Sequence, residues 1–238
     1  VTASGLVTLH VWEVPRRRVP AAVLRMASDR APLQGMPGLR FGKLLGTGTG
    51  RTFTPADADP TRWGILACWT SSGAADRFEH SEVVARWDAA AKERLRVAMV
   101  PLASRGRWSG REPFAFGGAA AVEQPDGPVA AVTRARLAPR RAVAFWRATP
   151  PVVAELGRAD GLVLSFGIGE APIGLQGTFS VWRSIGDLRA FAYRTAAHVE
   201  AIGRSAAEGW YAEELFASLA VVAADGSHRG RPLHVKGA

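Results

Sequence analysis

Two stretches of the chain match in register. Trp69-Thr-Ser-Ser-Gly73 with Phe78 resembles Trp182-Arg-Ser-Ile-Gly186 with Phe191, at a constant offset of 113 residues. Upstream, Gly38-Leu39-Arg-Phe-Gly42 echoes Gly161-Leu162-Val-Leu-Ser165 at an offset of 123. Downstream, Glu93-Arg-Leu95 and the apolar run after it echo Glu213-Glu-Leu215 at an offset of 120. Three matches in one order point to a duplicated module whose loops differ in length between copies.

Each copy reads alike. Leu6–Val14 is apolar and β-rich, a first strand. Val19, Val23 and Met26 recur at helical spacing around Pro20, a residue suited to a helix start. Gly38–Leu45 is a second strand, closed by the turn Gly46–Gly50. Trp63–Trp69 is a third, with Trp63, Ile65, Ala67 and Trp69 on one face. Val84, Trp87, Ala91 and Leu95 form a helical stripe, and Val97–Arg105 is a fourth strand. The second copy runs through Pro128–Leu137, a helix from Ala142 broken at Pro150-Pro151, Gly161–Gly167, Leu175–Trp182, a helical stretch from Ile185 to Arg204, and Glu214–Val222.

The order β-α-β-β-α-β is the ferredoxin-like unit. Each sheet has helices on one face and must bury the other, so the expected fold is α+β. Two ferredoxin-like repeats pack sheet to sheet as an intrachain dimeric α/β-barrel. The expected divisions are an N-terminal half over 1–110, a linker over 111–127, a C-terminal half over 128–224 and a flexible tail over 225–238. The ligand site is expected in the interior or the cleft beside it.

The 30 basic against 21 acidic residues leave a net charge of +9. The basic residues are dispersed and lack an interleaved aromatic ladder, so a nucleic-acid groove is not expected. A single cysteine excludes an intrachain disulfide framework and a cysteine-only metal cluster. With no secretion signal evident, cytoplasmic residence is the default. Gly46-Thr-Gly-Thr-Gly50 follows a strand but does not lead into an amphipathic helix, so it reads as a loop rather than a phosphate cradle. No Gly-x-Ser-x-Gly elbow and no His-Glu-x-x-His is present.

Three kinds of residue remain. Cys68 on the third strand reads as a small buried hydrophobe or, less readily, a thiolate ligand. His198 lies among alanines that would let a flat cofactor approach a helix, or it is an ordinary surface histidine. His10, His228 and His234 have weaker contexts, the last two in the expected tail. Trp146, Phe166, Phe179, Trp182 and Trp210 supply apolar faces for a core or for a large ligand.

Read together, the segments resemble the spheroidene monooxygenase family of carotenoid biosynthesis. The resemblance is carried by Gly38–Gly50 with Phe53-Thr-Pro55, Ala131–Ala135 with Phe145-Trp146-Arg147, Gly167–Pro172, Phe179–Trp182, His198–Ile202 and Glu208–Leu215. It implies a haem b-dependent monooxygenase that inserts oxygen into an apolar or specialised-metabolite substrate, with electrons from a ferredoxin-type donor. It is also compatible with the duplicated architecture of other haem enzymes, such as aldoxime dehydratases and chlorite dismutases. By that analogy His198 is the iron ligand. Lys43 and Glu170 are the catalytic candidates, and Thr47 and Thr49 are further candidates for a distal proton donor. Arg134, Trp146, Arg147, Phe166, Phe179 and Trp210 would line the cofactor, the arginines pairing with propionates or orienting substrate. N-oxidation or aldoxime-type dehydration at haem, and a non-catalytic haem-binding role, stay open. So do peripheral membrane contact and homo-oligomerisation.

Overall fold

A computed structural model describes residues 5–52, 54–115, 126–170, 175–194 and 210–236. The first copy comprises β1 (Leu6–Glu13), α1 (Val19–Ser28), α2 (Arg30–Gln34), β2 (Leu39–Gly48), β3 (Ala58–Trp69), α3 (Ser72–Glu79), α4 (Glu82–Asp88) and β4 (Glu93–Gly106). The second comprises β5 (Val129–Leu137), α5 (Ala142–Leu156), β6 (Leu162–Gly169), β7 (Leu175–Trp182), α6 (Ile185–Arg194) and β8 (Tyr211–His228), followed by β9 (Arg231–Pro232). Local chemistry sets the helix starts. Pro20 opens α1, and the Ser71 and Ser81 hydroxyls accept from the Ala74 and Val84 amides at the heads of α3 and α4.

The expected barrel of two sheets packed face to face is corrected by the strand pairing. All described strands belong to one antiparallel sheet in the order β4-β1-β3-β2-β6-β7-β5-β8, with β9 hairpinned onto β8. The copies meet edge to edge. Gly46–Gly48 of β2 pairs with Gly167–Gly169 of β6, and β4 pairs with β8 along Leu95–Gly106. Edge pairing satisfies the backbone donors and acceptors that two separate sheets would leave exposed.

The α+β character holds, and the two faces of β3 belong to two different clusters. Ile65, Ala67 and Trp69 lie under their own helices, with Phe78, Val84 and Trp87. The face shared by both copies carries Leu66 and Cys68, with Val7, Leu9, Val97, Val132, Phe166, Phe179 and Leu219. The repeated Trp and Phe do the same work twice. Trp69 packs on Phe78 with centroids 5.0 Å apart, and Trp182 on Phe191 at 5.2 Å.

Three local expectations also change. Leu95 belongs to β4 rather than to a helical stripe, because the chain turns at Ala89–Ala91. α5 runs through Pro150 and Pro151. Residues 225–236 are not a loose tail: β8 continues to His228, Leu233 is buried, and Ala224 and Val235 exchange backbone hydrogen bonds. Most of the expected linker, residues 116–125, lies outside the described residues.

Candidate functional site

Side chains alternate along a strand, so every second residue faces the shared core. On β2 these are Phe41, Lys43 and Leu45; on β5, Ala130, Val132 and Arg134. On β6 they are Leu164, Phe166 and Ile168, with Glu170 next in step just past the strand; on β8, Glu213, Leu215 and Ala217. The apolar series therefore gives way to charge on four strands, and the charges meet.

Glu170 is the centre. Lys43 Nζ donates to its Oε2 at 2.5 Å and to Ser109 Oγ at 2.7 Å. Trp108 Nε1 and an Arg134 guanidinium nitrogen both donate to Oε1, at 2.6 and 2.9 Å. The other Arg134 nitrogen reaches Glu213, which also accepts the Ser109 and Gly110 amides at 2.9 and 2.7 Å. The Trp108 ring covers the assembly, edge-on to Phe41 and beneath the Arg134 guanidinium. The Arg134 side chain is 2% exposed, whereas those of Glu170, Glu213 and Lys43 are 15%, 17% and 20% exposed, so the cluster is closed at Arg134 and part-open at the other three.

Burial alone would raise the Glu170 pKa. The hydrogen bonds from Lys43 and Trp108 and the charges of Lys43 and Arg134 outweigh it and hold the carboxyl below its ordinary range. Burial also opposes ionisation of Glu213, but the Gly110 and Ser109 amides and Arg134 win there too. The result is two fixed carboxylates facing two fixed cations. Such an arrangement can orient a polar substrate group and deliver a proton at Nζ.

Three of the expected site residues, Lys43, Glu170 and Arg134, thus come together. Phe166 and Phe179 pack on each other directly behind them, centroids 5.4 Å apart. Trp146, Arg147 and Trp210 do not join them. Arg147 is exposed on α5, and Trp210 packs edge-on to Phe145 of that helix. Thr47 is tied to the Arg62 carbonyl and Thr49 to Asp57. His198 lies outside the described residues.

The described residues do not fit haem b. No three His, Cys, Asp or Glu side chains among them are grouped to hold a metal ion. Cys68 is enclosed in the apolar core, where burial pushes its thiol up to about 12, so it is no thiolate. His10 is held by Glu79 at 2.8 Å, His80 by the Asp76 carbonyl at 2.8 Å, and His234 lies 3.4 Å from Asp225. His228 stacks on Phe166 at 4.3 Å inside the core. Among the described residues these placements correct the expectation of haem and of a metal-binding protein; the expected ligand His198 lies outside them.

Trp108, Ser109, Glu213 and His228 were not expected at a site. One signal pointed to Glu213, its match with Glu93 in the repeat. Glu93 accepts the Arg229 and Gly230 amides as Glu213 accepts those of Ser109 and Gly110. Each carboxylate grips a turn just beyond the fourth strand of the other copy. Glu93 also joins Arg62, which pairs with Glu13 and Asp59, forming a second charged cluster beside His228.

No family model matches the chain. It is 37% identical over 214 residues to the spheroidene monooxygenase of Rhodobacter capsulatus, covering 90% of this chain and 88% of that protein. It is 38% identical over 217 residues to the spheroidene monooxygenase of Rubrivivax gelatinosus, covering 89% and 82%. Among solved structures, an aldoxime dehydratase superposes with a TM-score of 0.61 at 12% identity, over 91% of this chain and 81% of that one. A second aldoxime dehydratase, crystallised with butyraldoxime, gives a TM-score of 0.58 at 13% identity over 91% and 79%. At those identities the likeness is one of fold.

Proposed function

The chain belongs to the spheroidene monooxygenase family, and from that premise we propose that it inserts an oxygen atom into an apolar, carotenoid-like specialised metabolite, with Lys43 as its proton donor. At the coarser level it is an oxidoreductase of the monooxygenase type acting on an organic substrate. One atom of dioxygen enters a substrate C–H bond to give an alcohol, and the other leaves as water. That balance consumes two electrons and two protons, and the electrons are assigned to a ferredoxin-type donor.

The observation that carries the reading is the polar cluster at the edge of an apolar core. Phe41, Phe166 and Trp108 are buried apolar side chains on the same side of the sheet as the part-exposed Lys43. In this reading Lys43 Nζ, aimed by Glu170 and Ser109, supplies one of the two protons of that balance and is recharged from solvent. Glu170 acts as a positioning residue, and Arg134 and Trp108 keep its carboxylate in place. A neutral Gln at position 170 would leave the Lys43 and Arg134 charges poorly matched.

The test is 18O2 labelling with spheroidene, reduced ferredoxin and the purified chain. We expect one labelled oxygen per hydroxyl formed. K43M is expected to lower turnover by roughly 100-fold, the usual scale of general-acid loss. E170Q is expected to lower kcat and displace the pH profile while leaving the fold intact. Undiminished turnover by K43M would put the proton donor elsewhere. An unlabelled product, or none with any reduced donor, would overturn the reading.

A further inference from the structure

α1 departs from the pattern of a surface helix. Its solvent-facing residues are Pro20, Ala21, Val23, Leu24, Ala27 and Ser28, with no charged side chain among them. Leu24 is 71% exposed and Val23 51%, and they are two of only four large hydrophobic side chains so exposed among the described residues. In a chain of net charge +9, a helix facing water would be expected to carry charge there.

The flanks are cationic. Arg16, Arg17 and Arg18 precede α1, Arg25 lies on its side and Arg30 follows it. The single acid in residues 16–34, Asp29, is fully buried and engaged by Arg86 and Trp87. Among the described residues no carboxylate neutralises these five arginines, whereas Arg62, Arg94, Arg96 and Arg134 are all ion-paired.

A cleft of about 200 Å³ lies between α1 and the end of α4. Arg17, Arg18 and Arg25 line it above a floor that includes Ala21, Ala22 and Ala90. Arg18 and Arg25 each spend one N–H on a backbone carbonyl, Ala89 O at 3.2 Å and Arg86 O at 2.6 Å. Those bonds anchor the guanidinium planes and leave their other donors for an anion.

We propose that this face docks on an anionic membrane surface, with Val23 and Leu24 entering the acyl boundary and a lipid phosphate seated among Arg17, Arg18 and Arg25. Apolar side chains in the centre with arginines around them match the two demands of an interfacial helix, area buried in the headgroup boundary and attraction to anionic lipid. The proposal does not depend on which substrate is oxidised.

Sedimentation of the full chain with vesicles tests it. Binding is expected to vesicles of phosphatidylcholine and phosphatidylglycerol at three to one, not to phosphatidylcholine alone, and to weaken sharply in 0.5 M salt (roughly a 4–5 Å screening length). R17E/R18E is expected to reduce binding by at least roughly tenfold, from about fivefold per charge near such a surface. L24S is expected to weaken binding while retaining the preference for anionic lipid. An environment-sensitive label on L24C should shift to the blue when vesicles are added; Cys68 is buried and stays unlabelled. An unchanged near-ultraviolet circular dichroism spectrum establishes that the variants are folded. Absence of vesicle binding would overturn the proposal. So would binding insensitive to L24S and fully competed by millimolar inorganic phosphate, which would mark the cleft as a site for a free anion instead.

Discussion

His228 and Cys68 show how the position of one side chain sets its chemistry. His228 is 4% exposed, its Nε2 has no hydrogen-bond partner, and its ring lies on Phe166. Burial first, then the charges of Arg62 and Arg229, lower its pKa from 6.5 to about 4. The unfolded chain therefore binds a proton below about pH 6.5 that the folded chain refuses until about pH 4. Between those values stability falls as pH falls, because the unfolded state holds more protons. H228F removes the titration and keeps a ring against Phe166. Its urea midpoint is expected to change less between pH 7 and pH 4.5 than that of the parent, and equal slopes would contradict the assignment. Cys68, held neutral by burial, is expected to resist alkylation at pH 8 until urea unfolds the chain, as a thiol titration would report. Lys43, Arg134 and Glu170 were singled out through the family resemblance, but their meeting was not read from the sequence. Trp108, Glu213 and His228 were not singled out, because their contacts are made across 62 to 79 residues and leave no local signal.

At the scale of elements, the seam between β4 and β8 depends on two glycines. Gly106 and Gly226 have φ of +85° and +97°, and a Cβ would stand 2.2 Å from Glu214 O and 2.1 Å from Arg94 O, respectively. They sit at equivalent places, one per copy, where the long fourth strand of one copy crosses the start of the other. G106A and G226A each combine backbone strain with a clash against backbone that cannot swing aside. Each is expected to cost about 3 kcal/mol or more, read as a lowered urea midpoint, and a loss below 1 kcal/mol would show that the seam relaxes. The strands were legible because alternation and β-branched runs mark them locally. The boundary of β2 was misplaced because Gly46–Gly48 has the composition of a turn, yet its backbone pairs with β6. The break expected at Pro150-Pro151 was also misplaced. α5 carries on through both prolines, and the Thr149 hydroxyl bonds back to the Phe145 carbonyl at 2.8 Å. Tertiary context overrode local propensity there. P150A/P151A is accordingly expected to stabilise the chain by about 1–3 kcal/mol in urea unfolding, with no change in the strands.

At the scale of the molecule, duplication explains both what was anticipated and what was not. A repeat announces that two copies must share a core, but not whether they do so face to face or edge to edge. That choice depends on backbone pairing, which leaves little trace in side-chain pattern. The structure uses edges: β2 to β6 and β4 to β8. A single copy is then deficient twice over. Residues 5–115 alone would expose Val7, Leu9, Leu66, Leu95 and Val97 on the shared face, and would leave the outer backbone edges of β2 and β4 unpaired. Glu93 would lose the Ser227 hydroxyl and the Arg229 and Gly230 amides that help hold its carboxyl down to about 2. A second copy of the same fragment can supply both an apolar face and antiparallel edges, since the two natural copies are alike in order and contacts. The fragment is therefore expected to elute as a dimer or to aggregate, and to give a folded one-to-one complex when residues 126–238 are supplied in trans. Size-exclusion chromatography with light scattering distinguishes these states. A monodisperse monomer of residues 5–115 with cooperative unfolding would mean that each copy closes its own core, and that the edge pairing is an accessory rather than the basis of the fold.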